Sequence, residues 1–180
     1  MTEGPSPAED LIAPDLILLL LHAPTVVREG RDHLNGITRL EKLLYLVAKE
    51  GSLSDEVGDP FVFQPFHYGP YSKAIYESVD LLEAAGLLRE ERALEGQALD
   101  EMEELSAVTS EREGIERRFF LTREGQAVAS LLASKHPDTV SALTRIKDKY
   151  AGMPLRRLIR YVYSRYPDSA AASRIRDEIL

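Results

Sequence analysis

The chain has 180 residues, of which 44% are hydrophobic and 29% are charged, a composition typical of a globular protein with room for one real core. It has no cysteine, which excludes disulfides, thiolate nucleophiles and cysteine-ligated metal centres, and fits a reducing compartment. The formal charge of −8 argues against coating of nucleic acid by bulk attraction, although a local basic patch is still compatible with it.

The first 11 residues are rich in proline, glycine and acids, and we expect them to be disordered. Residues 1–10 contain no lysine or arginine, so the basic start of a signal peptide is missing and a cytoplasmic protein is expected. Residues 14–22 predict a first helix that is apolar all round. Its apolar run is much shorter than the roughly 20 residues of a membrane span, so we expect no membrane contact.

A second helix is predicted to start near Thr38, because Thr38 and Glu41 have the spacing of a capping box. Gly51 is a natural stop for this helix. Its apolar residues recur at helical spacing, which indicates one buried face. These residues are Leu40, Leu43, Leu44 and Val47.

A short β-like run is predicted at residues 61–66, followed by a turn into a third helix. Pro70 is predicted at the first position of this helix, where no N–H is needed, and Gly86 ends it. The apolar stripe of the third helix consists of Ile75, Val79 and Leu82.

Two strands are predicted next, one beginning at residues 86–89 and one at residues 117–121. Between them lies an acidic insertion, residues 90–116, in which ten acids face two bases, so that it holds the whole net charge of −8. The rest of the chain is balanced. A charge run of this kind is usually solvated surface, and an interaction segment is the alternative interpretation.

The remaining chain is predicted to be helical, and residues 145–180 are basic, with nine bases against four acids. Segments of the helical type lie at residues 122–134, 138–150, 154–166 and 169–180. The third of them has an apolar face opposite a second face that is mostly cationic. The second face consists of Arg156, Arg160 and Tyr163, with Arg157 nearby.

Three helices followed by two strands around a loop are typical of a winged helix-turn-helix, in which the third helix reads DNA and the loop is the wing. We therefore predict a mainly α fold, with a winged helix-turn-helix domain at residues 12–134 that has a two-stranded wing. A C-terminal helical extension at residues 137–180 is predicted to serve packing or dimerisation.

Residues 86–88 (GLL) and 119–125 (FFLTREG) resemble the GLI…YxLTxxG signature of PadR- and MarR-type regulators. The resemblance covers roughly residues 70–134. It implies a DNA-binding transcriptional regulator whose C-terminal helices pair two subunits in a homodimer. It also implies that Thr122 caps the helix that follows the wing.

Residues 39–46 (RLEKLLYL) and 63–71 (FQPFHYGPY) are similar to the KLLYF…YGP pattern of phage-associated SocA-like (Panacea) antitoxin and adaptor proteins. This resemblance covers residues 39–88 and implies contact with a protein partner, with toxins presented or neutralised. Both resemblances imply a compact helical protein, and they differ in the partner.

The leading hypothesis is a DNA-binding transcriptional regulator, in which cationic and hydroxyl side chains contact phosphates. Acids occupy the outer face of the third helix, so the usable donors cluster at its start and at the base of the wing. These candidates are Tyr71, Ser72, Lys73, Tyr76, Arg89, Arg117 and Arg118, and the candidates for partner or DNA contact are Arg156, Arg157 and Arg160. Core packing of Tyr68, Tyr71 and Tyr76, and a solvated face or intersubunit ion pairs for the tail arginines, are the alternatives.

The alternative function is an antitoxin- or adaptor-like protein-interaction module with no DNA binding of its own, whose acidic insertion docks on a basic partner. An enzyme is not expected, because the four histidines are scattered and the chain lacks zinc-protease, nucleophile-elbow, phosphate-loop and dinucleotide motifs. His67, beside Tyr68, lies in a turn, where a single histidine is usually structural. Neither a cofactor nor a metal is expected.

Overall fold

The structure is a computed structural model that describes residues 11–51, 53, 60–94 and 115–180. These residues form a mainly helical fold with small antiparallel sheets. The helices are α1 (Ala13–His22), α2 (Ile37–Glu50), α3 (Lys73–Ala84), α4 (Arg123–Lys135), α5 (Pro137–Tyr150), α6 (Leu155–Arg165) and α7 (Arg176–Ile179). The strands are β1 (Leu34–Asn35), β2 (Gln64–Phe66), β3 (Gly69–Tyr71), β4 (Leu88–Leu94) and β5 (Ile115–Leu121), and 3-10 turns occupy Arg28–Gly30 and Pro167–Ala170.

Helix α1 is surrounded by the rest of the fold. All of its residues from Leu16 to Leu21 are buried, and it contacts α3, α4 and α5. A helix that is apolar on every side has to be covered on every side, which confirms the predicted buried helix. Leu11, which was expected in a disordered start, is only 4% exposed and belongs to the same core, whereas residues 1–10 lie outside the described residues. Among the described helices, none has the length and hydrophobicity that crossing a membrane requires.

The two strands predicted around the insertion are β4 and β5, and β1 pairs with the other side of β5. The expected two-stranded wing is thus part of a three-stranded antiparallel sheet with the order β1-β5-β4. Buried Leu34 lies opposite Phe119, and this apolar pair holds β1 in register. The two ends of the acidic insertion belong to β4 and β5, and its residues 95–114 lie outside the described part of the chain.

Thr122 ties the end of α3 to the start of α4. Its hydroxyl accepts a hydrogen bond from the Gly125 N–H (3.0 Å) and donates one to the Gly86 carbonyl (2.6 Å). Its own N–H donates to the Leu87 carbonyl. A Cβ atom at Gly125 would lie 1.9 Å from that same carbonyl oxygen, so only glycine fits there. The expected Thr122 cap is confirmed. Through Thr122 and Gly125, the two segments of the motif, residues 86–88 and 119–125, are packed against each other.

The predicted capping box at the start of α2 is wrong. The helix begins at Ile37 after Gly36, whose φ of 81° is in the left-handed region, and no side chain caps it. The Glu41 carboxylate is engaged elsewhere, because it accepts hydrogen bonds from Lys42 and from the Ser72 N–H. The predicted end of the helix at Gly51 is confirmed.

The start of α3 also differs from the prediction, whereas its end agrees. Pro70 is not in the helix but in β3, which pairs with β2 across a turn at His67 and Tyr68. Ser72 is the N-cap residue, and the helix begins at Lys73. Gly86, with a φ of 69°, follows the end of the helix as expected.

Helices α5 and α6 pack on α1 and α2, so residues 137–180 contribute to the same core as the rest of the chain. Tyr163 was predicted on the cationic face of α6, but it is only 1% exposed because it packs behind β3. The helix predicted for residues 169–180 is reduced to a 3-10 turn and the short α7. Leu158, Ile159 and Val162 of α6 are buried within the chain, and the homodimer that the resemblance to PadR- and MarR-type regulators implies stays a prediction.

Candidate functional site

The most prominent surface feature is a row of aromatic rings at the β2–β3 hairpin. The Phe66 ring centroid lies 5.0 Å from that of Tyr71, which in turn lies 5.2 Å from that of Tyr76 on α3. The His67 ring stacks on Phe66 at 4.3 Å. Phe66 is 43% exposed, and the other two rings of the row are partly buried. We call Phe66, Tyr71 and Tyr76 the aromatic row.

The buried ion pair of Glu41 and Lys42 on α2 holds this hairpin from its protein-facing side. The Lys42 ammonium donates hydrogen bonds to the Glu41 carboxylate (2.8 Å) and to the Pro70 carbonyl (3.0 Å). The other Glu41 oxygen accepts from the Ser72 N–H at the start of α3, where a negative charge suits the helix dipole. Burial raises the pKa of Glu41 and lowers the pKa of Lys42, and their mutual attraction opposes both shifts. The pair therefore joins α2, β3 and α3 at one point.

The hairpin is also held from the C-terminal side of the chain. The His67 carbonyl accepts a hydrogen bond from the Arg174 N–H (2.9 Å) and one from the Ser173 hydroxyl (3.3 Å). Gly69 has a φ of 96°, and a Cβ there would lie 2.6 Å from the Tyr163 ring. The close approach of the Tyr163 ring thus requires glycine in the strand. With anchors on both sides, the aromatic row is presented on a fixed backbone.

Two prolines restrict how this hairpin can bind a partner. Pro65 and Pro70 face each other in the β2–β3 register, and neither has an N–H. The outward-pointing carbonyl of Pro70 is already bonded to Lys42. At this central pair neither edge offers a backbone donor to an added strand.

The exposed surface of α3 continues the aromatic row with acidic side chains. Glu77, Asp80 and Glu83 are all exposed, and we call them the acidic face of α3. Lys73 is the one base of this helix, and it forms an ion pair with Glu77 one turn away. Hydrogen bonding and charge attraction from Glu77 raise the pKa of Lys73. The surface beside the row is therefore net negative.

The predicted DNA contacts on α3 fall into different environments. Ser72 is 1% exposed, so its side chain lies inside the protein and not on the surface that a duplex would meet. Lys73 is exposed but paired with Glu77. The rings of Tyr71 and Tyr76 contact each other at a tilted angle, which agrees with a packing role, and both residues are only partly buried.

The predicted contacts at the wing base are also engaged by acids. Arg117 donates two hydrogen bonds to Glu90, of 2.6 and 3.0 Å, and lies over the Phe119 ring. These bonds lower the pKa of Glu90, although burial of the carboxylate acts in the opposite direction. Arg89 pairs with Glu91, and its guanidinium lies 4.8 Å from the centroid of the Phe120 ring. Arg118 lies opposite Glu91 in the sheet register and is partly buried.

The tail arginines do not act as a group. Arg156 donates to the Glu178 carbonyl (2.9 Å), and Arg160 donates to the Ile179 carbonyl (2.6 Å). Both bonds hold the last described turn against α6, which is a structural role. Arg157 is exposed.

A second polar cluster was not foreseen from the sequence. The Glu50 carboxylate accepts hydrogen bonds from the hydroxyls of Tyr150 at the end of α5 (2.6 Å), Tyr161 in α6 (2.8 Å) and Tyr166 directly after α6 (2.9 Å). Burial opposes the charge of Glu50, but the three hydroxyls hold its pKa below the usual value. The Lys149 ammonium lies 3.4 Å from the same carboxylate. This cluster joins α2, α5 and α6.

The hairpin site was only partly visible in the sequence. Tyr71 and Tyr76 were singled out, but Phe66 was not, although its place before the His67–Tyr68 turn was a usable signal for an exposed tip. The partnership of Glu41 and Lys42 with residues about 30 positions later had no local signal. In the described part of the chain, no three histidine, aspartate or glutamate side chains are grouped closely enough to hold a metal ion.

Comparison with protein-family models, curated proteins and solved structures finds no match to this chain. The motif resemblances to PadR- and MarR-type regulators and to SocA-like proteins are therefore still expectations. The function has to be argued from the geometry of the site itself.

Proposed function

We propose that this chain is a protein-interaction module that docks on a partner polypeptide through the aromatic row and the acidic face of α3. The observation that carries the proposal is the exposed Phe66 ring, in contact with the Tyr71 ring at the tip of a hairpin that is anchored from both sides. Rigid, partly exposed aromatic rings are the usual anchors of protein interfaces, because they bury much area at a low cost in conformational entropy. This is the function type that the SocA-like resemblance implies.

Charge supports a protein partner over a duplex. A DNA-reading helix should present donors to phosphates, whereas α3 presents Glu77, Asp80 and Glu83 and its single base is paired. The arginines nearest to it, Arg89 and Arg117, are paired with Glu91 and Glu90. The charge of each of these side chains is already offset by a carboxylate, which weakens its attraction for a phosphate.

The test is site-specific photo-crosslinking in the native cells. Phe66 is replaced by its photo-reactive analogue benzoylphenylalanine, and the exposed Leu131 on α4 is replaced in the same way as a control. We expect a discrete adduct with a second protein from position 66, and none from position 131. The same partner should co-purify with the wild-type chain and with Leu131→Ser, but not with Phe66→Ser. An absence of adducts at position 66, or equal adducts at both positions, would overturn the proposal.

DNA binding by a winged helix is the second candidate, and one observation favours it. Helices α1, α2 and α3 precede the β4–β5 hairpin, as the three helices of that class precede its wing, and Arg89 and Arg118 lie on this hairpin. A departure is the 22-residue connection between α2 and α3, where a helix-turn-helix has a short turn. Fluorescence anisotropy with random duplex DNA at low salt tests this candidate, using Lys73→Glu and Arg89→Glu variants. Arg117→Glu is a poor choice, because it would place a second carboxylate against Glu90.

A further inference from the structure

We propose that the segment received by this surface is arginine-rich, an inference that rests on the proposed function. Two properties of the surface are complementary to arginine in different ways. The acidic face of α3 supplies negative charge, and the aromatic row supplies ring faces next to it. A guanidinium group can satisfy both at once, because it stacks on rings and donates hydrogen bonds in its own plane.

The spacing of the surface suits a short extended segment. Successive ring centroids of the aromatic row are 5.0 and 5.2 Å apart. Asp80 follows Tyr76 by one helical turn, a rise of about 6 Å, and Glu83 extends the face farther along α3. Side chains on one side of an extended strand repeat about every 6.6 Å, which is close to the rise from Tyr76 to Asp80 and longer than the spacing of the rings, so one arginine can meet the aromatic row while the next meets the acidic face. Because Pro65 and Pro70 offer no backbone N–H at the hairpin edges, we expect these side chains to make the contacts with the segment.

The chain itself shows that its aromatic rings accept guanidinium groups. Arg89 lies over Phe120, Arg117 over Phe119 and Arg165 over Tyr166, at 4.8, 5.3 and 5.6 Å from the ring centroids. Within the described residues, no cation lies over the rings of Phe66 and Tyr71. Phe66 is stacked on His67 and Tyr71 contacts both Phe66 and Tyr76, so only the exposed part of each ring can receive a cation from outside the chain.

The experiment is a fluorescence anisotropy titration of the full chain with two labelled twelve-residue peptides, alternating Arg-Ser and alternating Lys-Ser. The peptides have equal charge, so only the ring contacts and the planar hydrogen bonds distinguish them. We expect the arginine peptide to bind about five-fold tighter or more. Binding should weaken when the salt concentration rises from 50 to 200 mM, to an equal or smaller extent for the arginine peptide.

Matched variants assign the binding to this surface. Phe66→Ser and the double variant Asp80→Asn/Glu83→Gln should each lower the affinity for the arginine peptide about five-fold or more. The control Glu124→Gln/Asp138→Asn removes two exposed acids on α4 and α5 and should leave the affinity unchanged. Circular dichroism melting verifies that each variant folds. If Phe66→Ser does not fold, the test rests on Asp80→Asn/Glu83→Gln, whose substitutions are both on the surface.

The outcomes separate this inference from the proposed function. Equal binding of both peptides, or equal losses in the α3 variant and in the control variant, would show charge attraction alone and overturn the inference. A crosslink at position 66 without selective binding of the arginine peptide would overturn the inference and leave the proposed function in place. Loss of both signals would overturn both.

Discussion

Lys147 donates a hydrogen bond of 2.9 Å to the carbonyl oxygen of Leu21, a residue 126 positions earlier in the chain. A second bond of 2.7 Å reaches the carbonyl of Ala23. These carbonyls lie at the C-terminal end of α1, where a helix has no acceptor partners of its own and where a cation suits its dipole. Lys147 is 1% exposed, so a helix of the tail caps the first helix of the core with a buried charge.

The Lys147 cap predicts a stability that depends on pH. Burial lowers the pKa of Lys147 to about 8, whereas an unfolded lysine titrates near 10.4. Between these values the unfolded chain binds more protons than the folded chain, so stability rises with pH. We expect the free energy of unfolding of the wild type, relative to Lys147→Met, to increase from pH 8 to pH 10 by at most about 1.4 kcal/mol per unit. Urea denaturation at four pH values measures it, and a constant or falling difference would contradict the prediction.

The buried pair under the hairpin predicts a large effect of a single substitution. Lys42→Met leaves the Glu41 carboxylate buried without its cation, and such losses cost about 3–5 kcal/mol. The double variant Lys42→Met/Glu41→Gln should recover part of this loss, because no buried charge is left. Lys73→Met, which breaks the exposed pair with Glu77, serves as the control and should be close to the wild type. Urea midpoints compare the four chains, and similar losses for Lys42→Met and Lys73→Met would refute the assignment.

Two glycines with the same kind of backbone conformation provide a matched comparison. Gly36 and Gly69 both have a φ in the left-handed region, so alanine is strained at either position. Apart from its two chain neighbours, no atom of the described residues lies within 4 Å of a Cβ at Gly36, whereas a Cβ at Gly69 meets the Tyr163 ring. Gly69→Ala should therefore destabilise the fold by about 1–3 kcal/mol more than Gly36→Ala does. Chemical denaturation of both variants decides this, and equal losses would mean that Tyr163 can move aside.

The Glu50 cluster predicts an acid-sensitive contribution to stability. The three tyrosine hydroxyls hold the pKa of Glu50 below that of an unfolded glutamate, so the unfolded chain binds more protons at low pH. The stability that Glu50 supplies is present above about pH 4.5 and is lost as the pH falls through the folded-state value. We expect the difference in unfolding free energy between the wild type and Glu50→Gln to shrink between pH 5 and pH 3. A difference that does not change over this range would show that the carboxylate charge is not used.

Local signals explain what could be predicted from the sequence. The apolar run of α1 and the stops at Gly51 and Gly86 each depend on neighbours within a few residues, whereas the Thr122 cap was implied by the resemblance to PadR- and MarR-type regulators. Their geometry follows from propensity and backbone freedom alone. The mainly helical class and the two strands around the insertion follow from the same kind of signal.

Contacts between distant residues explain the errors. Thr38 and Glu41 match the spacing of a capping box, but the Glu41 carboxylate bonds instead to Lys42 and to the N–H of Ser72, 31 residues later. Tyr163 shares a face of α6 with Arg156 and Arg160 by its spacing, yet the Tyr163 ring is buried in the space that the missing side chain of Gly69 leaves. The candidate site has the same origin, because α2 and the chain after α6 position the hairpin. No periodicity in the sequence reports such pairs.

The burial of α1 has a consequence for biosynthesis. The helix is synthesised before the helices that cover it, which extend to α5, and its last carbonyls are capped only by Lys147. Its six consecutive aliphatic residues are thus without their full native cover until α5 has been made. A nascent chain of this kind folds late and through contacts of high order, so it presents a strongly hydrophobic segment to chaperones until the tail is made.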